Sequence, residues 1–154
     1  SSFPDLVIVC DSNEDIVQTC EIIFIGLLPP VARSELPKLP FSDKKLVISM
    51  MAAVGYDETK SLINIDESRL VRTVPLPSAA RRSGPIVMYP PNADAEQLLC
   101  NIGTPVVCTT ETQMKPMISV TGHISSFFEL MRSSEEFLTN QGIAINELST
   151  MIIL

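Results

Sequence analysis

The 154 residues carry 18 acidic side chains against 11 Lys and Arg, a net charge of −7, and 45% of them are apolar. That length supports one domain with a sizeable core, and the acidic balance argues against general binding to nucleic acid or to anionic membranes. Aromatic residues make up only 5% and Trp is absent, so the core must be built from Val, Ile, Leu, Met and Ala.

No apolar run is long enough to span a membrane. The opening "SSFPDLVIVC" has no basic region and no small-residue cleavage site, so it does not read as a signal peptide. It also lacks Met, which points to a fragment or to a missing start. Cys10, Cys20, Cys100 and Cys108 match no zinc or redox spacing. They read as small buried hydrophobes in a reducing, cytoplasmic compartment.

In chain order, "LVIVC" (6–10) is a short apolar run. "DSNEDIVQTC" follows as a helix, with Ser12 and Asp15 as a capping box and Ile16, Val17 and Cys20 on one face. "EIIFIGLL" (21–28) is a β-branched strand, and "PPVARSELPKL" starts a helix on prolines. "KKLVISMMA" (44–52) is a strand, "YDETKSLI" a short helix, "SRLVRTV" (68–74) a strand and "PIVMY" (85–89) another. Asn92 caps the helix "ADAEQLLC", Gly103 stops it, and "TPVVCTT" (104–110) is the last strand. From Thr112 to about Asn140 apolar residues recur at helical spacing, and Gly142 ends that stretch. "INELSTMIIL" (145–154) begins a further helix with Asn146 as its cap.

Strands alternating with helices predict an α/β fold, a mostly parallel sheet flanked by helices and followed by a helical segment. The stretch "VRTVPLPSAARRSGPIVMYPP" (71–91) interrupts the pattern with five prolines and a tandem Arg81-Arg82. The arginines read either as forked donors for a phosphate or carboxylate or as a solvated pair.

Five segments in register carry a resemblance. "VQTCEIIFIGLLPP", "DKKLVISMMAAV", "RLVRTVPLPSAARRSGPIVMYPP", "LLCNIGTPVVCTTETQM" and "ISVTGHISSFFELM" resemble, in order and spacing, segments of the pyrroline-5-carboxylate reductase family. The likeness runs from about Asp5 to Gly142. It implies residues 1–111 as the later part of a Rossmann-like NAD(P)-binding domain. Residues 112–154 would then begin a helical dimerisation segment.

The resemblance implies NADP or NAD as cofactor, a cyclic imino acid as substrate and a homodimer, with no nucleic-acid or membrane partner and no metal. Gly26, Leu27, Leu28, Pro29, Ser49, Met50, Ala52, Val74, Pro75 and Leu76 would line the nicotinamide side, at the carboxyl ends of the strands where such sheets bind ligands. Thr121, Gly122, Ser125 and Ser126 would wall the substrate; equally, they read as small residues that let helices pack. His123 would supply the proton for imine reduction; the alternative is a histidine capping a helix bend. The chain departs from the family pattern where Leu28 replaces a lysine and Leu76 an asparagine. The glycine-rich turn of the dinucleotide fingerprint is absent, as is the later helical part.

Overall fold

The computed structural model describes residues 6–143. Two compact units divide between Met114 and Lys115. The first contains α1 (Asn13–Thr19), β1 (Ile22–Ile25), α2 (Pro29–Glu35), β2 (Leu46–Ser49), α3 (Tyr56–Leu62), β3 (Leu70–Pro75), β4 (Pro85–Tyr89), α4 (Ala93–Leu99) and β5 (Thr104–Val107). Helix α5 (Glu111–Thr121) begins in the first unit, and α6 (His123–Asn140) belongs to the second.

Local sequence sets the helix starts. Ser12 Oγ accepts from Asp15 N at 3.1 Å, the first half of the predicted capping box, and donates to the Asp15 carboxylate at 2.7 Å in place of the reciprocal backbone bond. Asn92 caps α4 by accepting from Ala95 N at 2.9 Å. Leu28 caps α2 without a side-chain bond, and Pro29-Pro30 fill its first turn.

The five strands lie in sequence order, β1-β2-β3-β4-β5. β1, β2 and β3 are parallel, β4 runs antiparallel to β3, and β5 is parallel to β4. One reversal therefore divides the sheet. Crossovers between parallel strands are almost always right-handed. While the sheet grows in one direction, reversing the strands moves a right-handed crossover to the opposite face.

The core divides in that way. Ile23, Ile25, Val47 and Leu70 pack with Val17, Ala32, Leu36, Tyr56 and Ile63 from the α1–α3 side. Leu46, Ile48, Val71, Ile86 and Met88 pack with Ala95 and Leu99 of α4 on the other. β2 is buried along its whole length, whereas β1 alternates and leaves Ile22 and Phe24 exposed.

The reversal is tightly built. Gly84 has φ +86°, and a Cβ there would lie 2.3 Å from Ser78 Oγ. A Cβ on Gly103 would lie 2.7 Å from the Gly84 carbonyl oxygen, and that oxygen accepts from Thr104 N at 2.9 Å. Only glycine lets β4 and β5 start this close together.

Several expectations need correction. Residues 7–10 form no strand, and Leu6, Ile8 and Val9 are exposed. The helical stretch from 112 to 140 is broken at Gly122 into α5 and α6. Of the four cysteines, only Cys108 is buried; Cys10 and Cys20 are half-buried and Cys100 is exposed. Cys100 follows the buried Leu99 directly, and one step along a helix turns the side chain away from the core. The predicted helix at 145–154 lies outside the described residues.

In the second unit no residue of α6 is fully buried. Phe127, Phe128, Leu130 and Phe137 are each more than half exposed. Arg132 ties the turns of α6 together through Glu129 at 2.7 Å and Glu136 at 3.0 Å, and the two carboxylates raise its pKa. Among the described residues, no helix is long and apolar enough to cross a membrane.

Candidate functional site

The three parallel strands end on the same edge of the sheet. Gly26 to Pro29 follow β1, Met50 to Ala53 follow β2, and Leu76 follows β3. The loop after β2 is tied to the end of β1, where Met50 N donates to the Ile25 carbonyl at 2.8 Å. Gly26, Leu28 and Ala52 are exposed, and Leu27, Pro29, Met50, Val74, Pro75 and Leu76 are half-buried. Ser49 differs: it is fully buried at the end of β2. The edge thus brings together the first-unit residues named from the sequence, with Ser49 beneath the surface.

Arg72 organises this edge. It sits on β3 in register with Ser49 and Tyr89, and it is 6% exposed. Its Nη1 donates to Glu111 Oε1 at 2.8 Å, and its Nη2 donates to the Ala52 carbonyl at 2.8 Å. The same Glu111 oxygen accepts from Tyr56 N, at the start of α3, at 2.6 Å. One carboxylate therefore joins β3, α3 and the first turn of α5. Arg72 Nε and Ser49 Oγ are buried without a hydrogen-bond partner among the described residues.

Tyr56 packs edge-on to Tyr89 with ring centroids 5.1 Å apart and donates its hydroxyl to the Glu67 carbonyl at 3.2 Å. Burial, with the nearby Glu67 charge, pushes the phenol pKa up to about 12. Burial also pushes the Cys108 thiol up. Beside the end of β1, a cavity of about 120 Å³ is lined by Ile16, Phe24, Gly26, Leu27, Leu39 and Phe41. Its surface is mainly apolar.

The edge has fewer donors for an anion than two bare helix starts would give. Helix N-termini attract phosphate through free N–H groups. Pro29 and Pro30 remove such donors from the start of α2, and Glu111 already occupies Tyr56 N at the start of α3. Gly26, Ala52 and Ala53 are small and exposed, and a Cβ on Gly26 would meet nothing nearer than Met50 Cε at 3.7 Å. These residues fit the flat ring of a nicotinamide. They supply no cradle for its pyrophosphate.

The second unit carries the remaining candidates. Thr121 ends α5 and donates its hydroxyl to the Ile118 carbonyl at 2.5 Å. Gly122 follows at the break, and His123, Ser125 and Ser126 lie exposed in the first turn of α6. The sequence reading missed Arg72 and Glu111. The available signal was an arginine inside the buried strand "LVRTV", since an interior charge requires a partner.

These features define a class: a Rossmann-like α/β domain followed by a helical segment. The solved structures it is similar to are more particular. They include pyrroline-5-carboxylate reductase from Streptococcus pyogenes, at 14% identity and TM-score 0.72, over 92% of this chain and 56% of that one. The pyrroline carboxylate reductase of Plasmodium falciparum with NADP bound is 18% identical with TM-score 0.74, over 94% of this chain and 58% of that one. The Coxiella burnetii pyrroline-5-carboxylate reductase is 17% identical with TM-score 0.74, over 92% and 56%. This chain thus spans less than three fifths of each reductase. No family model and no curated protein sequence matches it. At these identities the likeness fixes the fold.

The geometry of Arg72 gives a prediction. Glu111→Ala strands a buried guanidinium and frees Tyr56 N, and should cost about 3–5 kcal/mol in chemical denaturation. The double variant Arg72→Met/Glu111→Leu should lose less than Glu111→Ala alone. A cost below about 1 kcal/mol for Glu111→Ala, the range of a surface pair, would contradict the role given to this bond.

Proposed function

We propose that this chain is part of a pyrroline-5-carboxylate reductase-type oxidoreductase that reduces the C=N bond of a cyclic imino acid. The observation that carries the reading is the edge where β1, β2 and β3 end. Its residues are those implied by the resemblance, and the fold is shared with three such reductases, one of them with NADP bound.

Bound NADPH or NADH would supply the hydride to the imine carbon. Gly26, Leu27, Leu28 and Pro29 would hold one side of the ring, with Met50, Ala52, Val74, Pro75 and Leu76 around the rest. Ser49, from below, would support the loop after β2. Thr121, Gly122, Ser125 and Ser126 would position the substrate. His123 would hold the proton for the imine nitrogen, so that one hydride and one proton convert C=N to CH–NH.

A second reading, a non-catalytic NAD(P)-binding relative, is favoured by one feature. Leu28 is 73% exposed, and Leu76 is the other leucine at a position where the family carries a polar side chain. Two polar partners that would orient a ligand are therefore missing.

Kinetics on the full-length polypeptide separate the two readings. NADPH oxidation should depend on a cyclic imino acid, and His123→Gln should lower kcat about 100-fold or more. Restoring Leu28→Lys and Leu76→Asn should raise kcat/KM for pyrroline-5-carboxylate. NADPH binding without imine-dependent oxidation in either form would favour the non-catalytic reading.

The proposal includes a homodimer formed through the helical segment. Exposed Phe127, Phe128, Leu130 and Phe137 on α6 form an apolar surface of the kind that marks association, and two-fold pairing is the commonest way to cover one. Light scattering should give twice the monomer mass, and Phe128→Glu should halve it. A soluble monomer at micromolar concentration would rule the dimer out.

A further inference from the structure

We infer that Arg81 and Arg82 form an anion clamp on the loop that follows β3. It would take the carboxylate or phosphate of a small molecule bound at the carboxyl edge of the sheet.

Four observations support it. First, the chain has six arginines. Arg33, Arg69, Arg72 and Arg132 each carry an ion pair, whereas Arg81 and Arg82 are exposed and carry none among the described residues. In a chain with 18 acidic residues, a cation pair left without a counter-ion is available to a ligand.

Second, Arg82 holds φ 56° and ψ 41°, the left-handed region. A long side chain rarely adopts that conformation, and glycine or asparagine would fit with less strain. Strain of this kind gathers at ligand clamps.

Third, the loop is stiff. Pro75, Pro77 and Pro85 fix its ends and start. Arg82 N donates to the Ala79 carbonyl at 2.9 Å, and Ser83 N to the Ser78 carbonyl at 3.3 Å. The guanidiniums are thus carried on a preformed turn, so binding orders little backbone.

Fourth, the loop leaves β3 at the edge where Gly26 to Pro29 and Met50 to Ala53 lie. At that edge Pro29-Pro30 take two N–H donors from the start of α2, and Glu111 already accepts from Tyr56 N at the start of α3. The arginine pair is carried on the loop that leaves this edge after β3. Forked donors suit carboxylate and phosphate oxygens alike.

The inference rests on reading this edge as a ligand site, but its test does not depend on imine reduction. The chain is titrated with inorganic phosphate and, separately, with malonate, at ionic strength held constant with sodium chloride. Amide resonances are followed by NMR. Saturable shifts should centre on residues 78–84 for at least one probe, and the probe that binds identifies phosphate or carboxylate as the group taken.

Arg81→Gln, which leaves the loop backbone alone, should weaken that binding about tenfold or more. Arg82→Gly should do the same while melting no lower than the parent. Saturation that both variants keep, or no saturation by either probe, overturns the clamp. Neither result bears on whether the full-length protein oxidises NADPH with an imine, so the two readings fail separately.

Discussion

The single reversal of strand direction between β3 and β4 governs the rest of the first unit. Up to Pro75 the chain builds parallel strands with crossovers on one face. After Gly84 it runs the other way, and the next right-handed crossover, α4, covers the opposite face. Without the turn, Leu46, Ile48 and Val71 would lack that cover. The composition of the turn follows from this task. Prolines limit its conformations, Gly84 supplies a positive φ, and Gly103 yields space for the Gly84 carbonyl.

Arg72 carries the consequences to the carboxyl edge. It ties the loop after β2 through the Ala52 carbonyl and recruits Glu111 into the sheet side of α5. Glu111 then caps α3. The bond satisfies a buried cation and also removes an anion site from the edge. The prolines of α2 remove another. What remains there is mainly apolar, with Gly26, Ala52, Ala53 and Leu28 exposed, and positive charge lies on the neighbouring loop at Arg81 and Arg82.

Much of this fold was legible in the sequence because its signals are local. β-branched runs marked every strand, Ser12 and Asn92 marked helix starts, and Gly142, with φ 82°, marked the end of α6. Strand lengths were overread: "EIIFIGLL" contributes only Ile22–Ile25. Apolar character continues past the last ladder bond into the loop, where backbone pairing stops. The run "LVIVC" is apolar, yet no ladder among the described residues takes it up. The antiparallel turn of β4 was not visible either, since an apolar strand reads alike in both directions. The loops of the candidate site were named through motif order, whereas Arg72 and Glu111 are 39 residues apart and meet only in the fold. Thr121, Gly122, His123, Ser125 and Ser126 were named in the same way as the loops, and His123 lies in the first turn of α6.

In the proposed function a nicotinamide ring would lie over the ends of β1, β2 and β3. The most direct measurement uses a probe without phosphate, so that the arginine loop cannot hold it. Reduced nicotinamide riboside is titrated into the chain, and assigned amide resonances are followed by NMR. The account predicts shifts grouped at Gly26 to Leu28, Met50 to Ala53 and Val74 to Leu76. Shifts confined to α4 and β5, or none at these three loops while the protein remains folded, would contradict it.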